Sequence, residues 1–322
     1  MPIHRIKELV HADFVAVNDL ILEKIQAQTG LIDDLSKHII QSGGKRLRPL
    51  IVLLASLACG YEGKEHITLA AMIEFFHTAT LLHDDVVDDS KLRRGKKTAN
   101  IIWGSKASIL VGDYLFTLYM KLMLEVGNMH IMHLLANITH NITCGEIKQL
   151  ANKNNYNLSE DDYFDVIMAK TSLLFAISAS IGGIICGSSE DVEMALYNFG
   201  LHLGNAFQLI DDALDYCSNS ETTGKNIGDD LAEGKATLPL IYILQKGTNK
   251  QKDLIRESLK TGDSSNFPEI LTILKETKAI EYTKKVANKE IDLAINSLNI
   301  LPNSKYKDAL REIAYFAVGR EY

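Results

Sequence analysis

Four aspartates lie close together between apolar neighbours in the segment "LLHDDVVDD": Asp84, Asp85, Asp88 and Asp89. In a helix, residues four apart share a face, so Asp84 lies beside Asp88 and Asp85 beside Asp89. Like charges at that spacing destabilise an exposed helix by about 0.2–0.5 kcal/mol per pair, and by more where apolar neighbours exclude water. A divalent cation offsets this repulsion, and oxygen ligands without nearby Cys or His favour Mg²⁺, which commonly bridges to a phosphate.

A second acidic motif repeats the first far along the chain, in "FQLIDDALDY", with Asp211, Asp212 and Asp215. A single motif of this kind is as compatible with a solvated helix end as with a metal site. A general acid–base carboxylate pair is a further interpretation. Two such motifs in apolar helices favour a metal site shared between facing helices.

Two clusters of cations could bind the phosphates that such metals bridge. "GGKRLRP" places Lys45, Arg46 and Arg48 at the start of a helix opened by Pro49, where backbone N–H groups favour an anion. "RRGKK", residues 93–97, follows the first acidic motif, and its Arg forks match phosphate oxygens. Either run alone is equally typical of a solvated surface.

Lysines near the second motif and one histidine add candidates. Residues 224–239 contain three glycines and two lysines but depart from a P-loop, because Ala236 stands where Ser or Thr is needed. Lys225 and Lys235 can still reach phosphates. His77 precedes Asp84 by two helical turns and so shares its face.

Composition excludes several classes of protein. Hydrophobic residues make up 46% and charged residues 23%, as in globular proteins, and the net charge of −7 gives no reason to bind nucleic acid. The four cysteines form no CxxC pair, which argues against a disulfide framework or zinc ribbon. No segment approaches about 18 uninterrupted apolar residues and the N-terminus carries frequent charges. We therefore expect no transmembrane segment and a cytoplasmic location.

The elements that must position these residues are predicted to be helices. None of the five prolines falls between residues 50 and 238, and apolar residues there recur three and four positions apart. We find no Asn-Gly hairpin and no alternating strand pattern. The sequence predicts an all-α fold, with residues 1–322 forming a single-domain helical bundle.

Several motifs together resemble one family, and they occur in order over nearly the whole chain. They are "GGKRLRP", "HTATLLHDDVVDD", "RRGKKT", "GDYL", "AKT", "FQLIDDALDY" and "GKNIGDDLAEGKATLP". With them the chain resembles trans-type (head-to-tail) isoprenyl diphosphate synthases, most closely the bacterial octaprenyl and polyprenyl diphosphate synthases. The resemblance implies an all-α bundle of long helices around a central cavity, a homodimer and prenyltransferase activity.

The resemblance also implies roles for these residues. Roughly three Mg²⁺ ions would be held by five aspartates: Asp84, Asp85, Asp88, Asp211 and Asp215. Asp212 would complete the second motif, and Thr171 and Gln208 would line the site. The allylic substrate, farnesyl diphosphate, would have its diphosphate bound by Arg93, Lys170, Lys225 and Lys235. Isopentenyl diphosphate would be bound by Lys45, Arg48, His77 and Arg94.

Product length follows from the residues one turn before Asp84. In the family, small residues there let the product pass, and here they are Ala79 and Thr80. The resemblance thus implies a long product of about forty carbons, used for quinone side chains. Large residues on the next helix would form the floor of the tunnel: Tyr119, Met120 or Met123.

Four alternatives remain at this point. They are a shorter synthase that makes geranylgeranyl diphosphate, a head-to-head or cyclising relative, a non-catalytic subunit of a heteromeric synthase, and a plain helical scaffold. The complete aspartate motifs argue against the non-catalytic subunit, and the cations matching the isopentenyl diphosphate site argue against cyclisation.

Overall fold

The fold is almost entirely helical, which confirms the all-α prediction. The computed structural model describes residues 3–25, 30–41, 44–151, 157–217, 228–262 and 264–319. Helices α1 to α9 are Ile3–Leu9, His11–Lys24, Gly30–Gln41, Leu47–Ala58, Glu65–Val87, Ala99–Trp103, Ser105–Val126, Met129–Ala151 and Glu160–Ile167. Helices α10 to α17 are Leu173–Ile185, Glu190–Leu214, Asp229–Ala232, Leu238–Lys246, Asn249–Thr261, Phe267–Thr277, Ala279–Ser297 and Lys305–Val318.

Two helices form the centre of the bundle. In α10, every residue from Leu173 to Ile184 is buried, and α4 is nearly as enclosed. Helices α5 and α11, which carry the acidic motifs, pack against α10. The main core extends from Ile6 to Ala317, and a smaller core lies among α12–α15. The acidic motifs are therefore held by long helices with well-packed inner faces.

Helix ends follow the sequence signals. The Ser159 side chain accepts a hydrogen bond from the Asp162 N–H at 3.1 Å and forms the N-cap of α9, as serine commonly does. Gly127 ends α7 in the left-handed region, with a φ of 66°, where glycine lacks the steric penalty of other residues.

A short hairpin departs from the sequence prediction, which contained no strand. Strand β1 (Leu92–Arg93) pairs antiparallel with β2 (Lys96–Lys97) through a two-residue turn. Both turn residues have positive φ, 53° at Arg94 and 74° at Gly95, as a type I′ turn requires. The pattern was missed because arginine stands at the position where Asn or Asp usually signals such a turn.

Two helical stretches are long and apolar enough to cross a membrane by length and composition alone. One runs continuously from Glu160 to Ile185 and is 83% buried inside the bundle, so it is a core helix. The other is α7, which is 39% buried. Burial in the core therefore does not explain the apolar residues of α7. The absence of a transmembrane segment stays a prediction.

Candidate active site

The C-terminal end of α5 carries the first acidic motif. Asp85 is fully buried, and Arg93 donates to its Oδ1 atom from Nε at 2.9 Å and from Nη2 at 2.8 Å. Its Oδ2 atom is buried without a hydrogen-bond partner among the described residues. Burial raises the pKa of Asp84 from 3.8 to about 6, although Lys170 opposes the shift. Asp89, by contrast, is exposed with a φ of 53°.

The second acidic motif lies at the end of α11, where Asp212 is 4% exposed. Tyr163 donates to Asp212 Oδ2 at 2.6 Å, and Gln208 Nε2 donates to Oδ1 at 2.7 Å. Thr171 in turn donates to Gln208 Oε1 at 2.8 Å. Burial raises the pKa of Asp212 well above its ordinary value, and the neighbouring Asp230 carboxylate adds to the shift. Both oxygens of Asp212 are thus engaged by the protein, which suits positioning rather than metal ligation.

The other two aspartates of this motif flank Asp212. Asp211 precedes it, and Asp215 caps the helix end. The backbone N–H of Asp230 donates to Asp215 Oδ2 at 3.3 Å, which connects the motif to the α12 segment.

Lys170 lies in a π-helical turn, Met168–Ser172, between α9 and α10. Its ammonium donates to Glu146 Oε2 at 3.2 Å and to Gln149 Oε1 at 3.0 Å on α8. A π turn shifts the register of a helix and is frequent at functional sites. Here it points Lys170 towards the acidic groups of α5 and α8.

Lys235 brings the segment after α12 against the first motif. Its Nζ atom lies 3.5 Å from Asp88 Oδ2 and 2.5 Å from Glu233 Oε2. Burial lowers the pKa of Lys235, but the carboxylates of Asp88, Asp230 and Glu233 outweigh it and raise the pKa above its ordinary value. The other predicted lysine, Lys225, lies outside the described residues.

One cavity collects these groups. Its volume is about 1120 Å³ including its open mouth, and its lining is partly apolar, with Leu150, Leu158 and Val166. Six predicted site residues line it: Asp88, Lys170, Thr171, Gln208, Asp212 and Lys235. A concave site with converging charges and apolar walls fits a ligand with a charged head and a hydrocarbon tail.

The remaining predicted cations form a second cluster around the start of α4. Arg48 Nη1 donates to His77 Nε2 at 3.2 Å, and the guanidinium carbon lies 4.3 Å from the centre of the Phe175 ring. Burial lowers the pKa of Arg48 to about 10. It also lowers the pKa of His77 well below its ordinary value, aided by Arg48 and Arg94. The imidazole is therefore neutral and accepts the bond. The Arg48 Nε–H is buried without a partner among the described residues.

Lys45 and Arg94 complete this cluster from different elements. The Lys45 ammonium lies 4.6 Å from the Phe316 ring centre. Arg94 packs so closely on Gly44 that a Cβ there would lie 2.5 Å from Arg94 Nη1. The hairpin and the "GGKRLRP" segment are thus brought together by a glycine that leaves room for a guanidinium.

The residues assigned to product length lie along α5. Ala79 is 1% exposed within the main core, whereas Thr80 is half-buried and donates to the His77 carbonyl at 2.9 Å. One turn away, Phe76 packs on Tyr119 with ring centres 5.1 Å apart.

Of the three floor candidates, Tyr119 is the one enclosed by neighbouring rings. Its ring centre lies 5.4 Å from that of Phe116. Met120 is 45% exposed and Met123 packs at the edge of the core.

The carboxylates suit Mg²⁺ only together with phosphate oxygens. Within the described ranges, no three or more His, Cys, Asp or Glu side chains are grouped closely enough to hold a metal ion. Mg²⁺ usually takes one or two carboxylates, several waters and substrate phosphates. The orphaned Asp85 Oδ2 atom and the raised pKa of Asp84 fit a site that gains a cation together with its substrate.

Sequence reasoning missed four polar residues at this site: Glu74, Glu146, Gln149 and Tyr163. Glu74 is partly buried among arginines, with Arg46 Nε 3.9 Å from Glu74 Oε1. Burial raises the pKa of Glu74 against the attraction of these arginines. Its spacing one turn before His77 was a usable signal. Tyr163, Glu146 and Gln149 follow no motif, because their roles depend on packing between distant helices.

Comparisons with known proteins agree with this arrangement. A family model described as polyprenyl synthetase matches residues 29–276. Octaprenyl diphosphate synthase from Escherichia coli is 43% identical over 322 residues, covering 100% of both chains.

Two solved structures are similarly close. A polyprenyl synthase from Caulobacter crescentus, described as complexed with calcium and isoprenyl diphosphate, is 40% identical with a TM-score of 0.95, covering 99% of this chain and 98% of that one. A decaprenyl diphosphate synthase from Rhodobacter capsulatus is 40% identical with a TM-score of 0.94, covering 99% and 100%.

Fold and site together define the class of all-α isoprenoid synthases. The chain belongs to the polyprenyl synthetase family and is a prenyltransferase. The predicted family resemblance is thereby confirmed.

Proposed function

We propose that this enzyme condenses isopentenyl diphosphate head-to-tail onto an allylic diphosphate, with farnesyl diphosphate as the starter, to give a product of about forty carbons. The observation that carries the proposal is the cavity lined by Asp88, Asp212, Lys170 and Lys235 from separate elements. The arginine cluster around Arg48 offers a second place for a diphosphate. Two anion sites and an apolar wall are what joining two prenyl diphosphates requires.

The allylic diphosphate would be bound by Arg93, Lys170 and Lys235, with Lys225 proposed from the sequence alone. These cations stabilise the negative charge that grows on the departing diphosphate as the allylic C–O bond ionises. Mg²⁺, when bound, would supply further charge stabilisation to the same leaving group. Asp84, Asp85, Asp88, Asp211 and Asp215 are the residues proposed to hold it, about three ions per site.

Isopentenyl diphosphate would be bound by Lys45, Arg48, His77 and Arg94, so that its double bond attacks the allylic carbocation. The orphaned Arg48 Nε–H offers one donor for its diphosphate. The resulting cation then gives a proton to the departed diphosphate, which leaves a new double bond, and each cycle adds one five-carbon unit. No described side chain needs to act as a nucleophile in this scheme.

Incubation of the purified protein with Mg²⁺, farnesyl diphosphate and radiolabelled isopentenyl diphosphate, followed by sizing of the products, tests this function. A ladder ending near forty carbons supports it. Products ending near twenty carbons would instead favour a geranylgeranyl diphosphate synthase. Absence of incorporation would favour a non-catalytic subunit.

Thr80→Phe should shorten the product by at least one five-carbon unit, because Thr80 is half-buried on α5 one turn before Asp84. Product sizing measures the change. Thr80→Val keeps the size of the side chain and should leave product length unaltered. Ala79→Phe should also shorten the product. Because Ala79 is 1% exposed, overpacking at this position costs about 1–3 kcal/mol of stability. Unchanged product length in Thr80→Phe contradicts the proposed wall.

We also propose a homodimer formed by the exposed apolar residues of α7 and α8. Leu110 and Leu124 on α7 are 67% and 63% exposed, and Ile147 on α8 is 63% exposed. Residues 110 and 124 are two heptads apart, so they share one stripe of the helix. Exposed apolar stripes of this kind usually mark interaction sites.

Leu110→Glu combined with Leu124→Glu should convert the dimer into a monomer in light scattering after gel filtration, because two carboxylates would be desolvated at the contact. Ile300→Glu, at another exposed apolar position, should leave the mass unaltered. A monomeric wild-type protein refutes the assembly.

Three further assignments accompany the proposal. We propose that residues 1–322 unfold as one domain, which a single cooperative calorimetric transition would support. The four free thiols are in keeping with a cytoplasmic location, tested by cell fractionation. The long product suits quinone side chains, and depletion of the enzyme should then lower quinone content.

A further inference from the structure

Two cysteines meet at one end of the central helix pair, away from the acidic motifs. Cys59 follows the last residue of α4, and Cys186 follows the last residue of α10. Both cysteines are half-buried, and both thiols are free. The Cys186 sulfur lies 3.4 Å from the Ser56 carbonyl oxygen, which also accepts the Cys59 backbone N–H at 3.2 Å.

The helices that carry these thiols are held in close contact. Gly182 on α10 lies so near α4 that a Cβ on it would be 2.6 Å from the Ser56 backbone nitrogen. At the other end of the pair, the Arg48 guanidinium lies over the Phe175 ring. A disulfide needs Cα atoms within about 7 Å and a defined torsion. Because Gly182 and Ser56 touch about one helical turn before Cys186 and Cys59, the two cysteines lie side by side at adjoining helix ends.

The surroundings favour Cys59 as the attacking sulfur. The neighbouring Cys186 thiol lowers the pKa of Cys59; burial opposes the shift, and the Ser188 hydroxyl adds to the lowering. The thiolate is the nucleophilic form of cysteine. The neighbouring Cys59 and burial raise the pKa of Cys186, so Cys186 is the weaker nucleophile and does not attack first.

We propose that Cys59 and Cys186 form an intramolecular disulfide when the enzyme meets a small-molecule disulfide such as oxidised glutathione. The Cys59 thiolate attacks one sulfur of the oxidant, whose S–S bond breaks and releases one thiolate. The Cys186 thiolate then attacks the Cys59 sulfur of the mixed disulfide and releases the second. Two cysteine thiols are oxidised, one small disulfide is reduced to two thiols, and the cysteine protons end on those thiols.

This bond links the C-terminal ends of α4 and α10. Because those ends already pack tightly, the disulfide leaves the Arg48 end of the pair in place. Its effect is therefore on the unfolded chain, in which it closes a loop of more than a hundred residues. The Tm of the oxidised protein should be about 5 °C higher than that of the reduced protein, while kcat stays the same.

The experiment uses the full-length protein equilibrated with graded ratios of oxidised to reduced glutathione, then alkylated. Peptide mapping without reduction should find residues 59 and 186 linked in the wild type and in Cys144→Ser, and Tm should rise in both. Cys59→Ser and Cys186→Ser should lack the linkage and the rise. Failure of the wild type to form this linkage under the most oxidising ratio overturns the proposal, as does a linkage that leaves Tm unchanged.

Discussion

Asp84→Asn should lower kcat by about 10³-fold or more, the scale expected when preorganised charge stabilisation is removed from a reacting centre. Asp84 and Asp88 share one face at the end of α5, and Asp84 is in electrostatic contact with Lys170 and Glu146. Asparagine preserves the shape of the side chain but removes the charge that a divalent cation requires. Steady-state kinetics at saturating Mg²⁺ and both substrates measure the loss.

Loss of folding is excluded by measuring Tm with a chelator present. Burial disfavours the charged form of Asp84, so the metal-free variant should be at least as heat-stable as the wild type. Asp89→Asn is the matched control: Asp89 belongs to the same cluster but is exposed in the left-handed region, which asparagine tolerates. Full activity of Asp84→Asn, or equal losses in both variants, would refute the metal site.

The contrast between Asp84 and Asp212 shows what the sequence could predict. The spacing within "DDVVD" and "DDALD" was enough to place both motifs at helix ends, because helical periodicity is a local property. It could not distinguish the aspartates within a motif. Asp212 differs because Tyr163, from α9, reaches its Oδ2 atom, and such a contact depends on how distant helices pack.

The hairpin and the π turn could not be predicted from local sequence patterns either, for a related reason. Arg94 adopts a φ of 53°, which costs an arginine about 1–2 kcal/mol, and the packing of its guanidinium against Gly44 accompanies this conformation. After Lys170 every residue from Leu173 to Ile184 is buried, so the apolar pattern has no single face from which the register shift of a π turn could be read. Both features deviate from local preference at residues proposed to bind substrate, where such deviations are expected.

Arg48→Lys should raise the KM for isopentenyl diphosphate by about 10²-fold, with a much smaller change in the KM for farnesyl diphosphate. Arg48 donates to His77, lies over the Phe175 ring and keeps a buried, unpaired Nε–H. That donor can pair with a phosphate oxygen only if the planar guanidinium is retained. Lysine keeps the charge but loses the fork, so the effect isolates geometry from net charge.

The measurement varies isopentenyl diphosphate at saturating farnesyl diphosphate, and then reverses the two. Arg311→Lys is the control, since that arginine pairs with Asp308 at 3.3 Å on α17 and has no proposed contact with substrate. A variant that merely loosened the fold would weaken binding of both diphosphates together. Equal increases in both KM values, or no increase for isopentenyl diphosphate, would therefore contradict the proposal that the arginine cluster binds isopentenyl diphosphate through the buried Nε–H of Arg48.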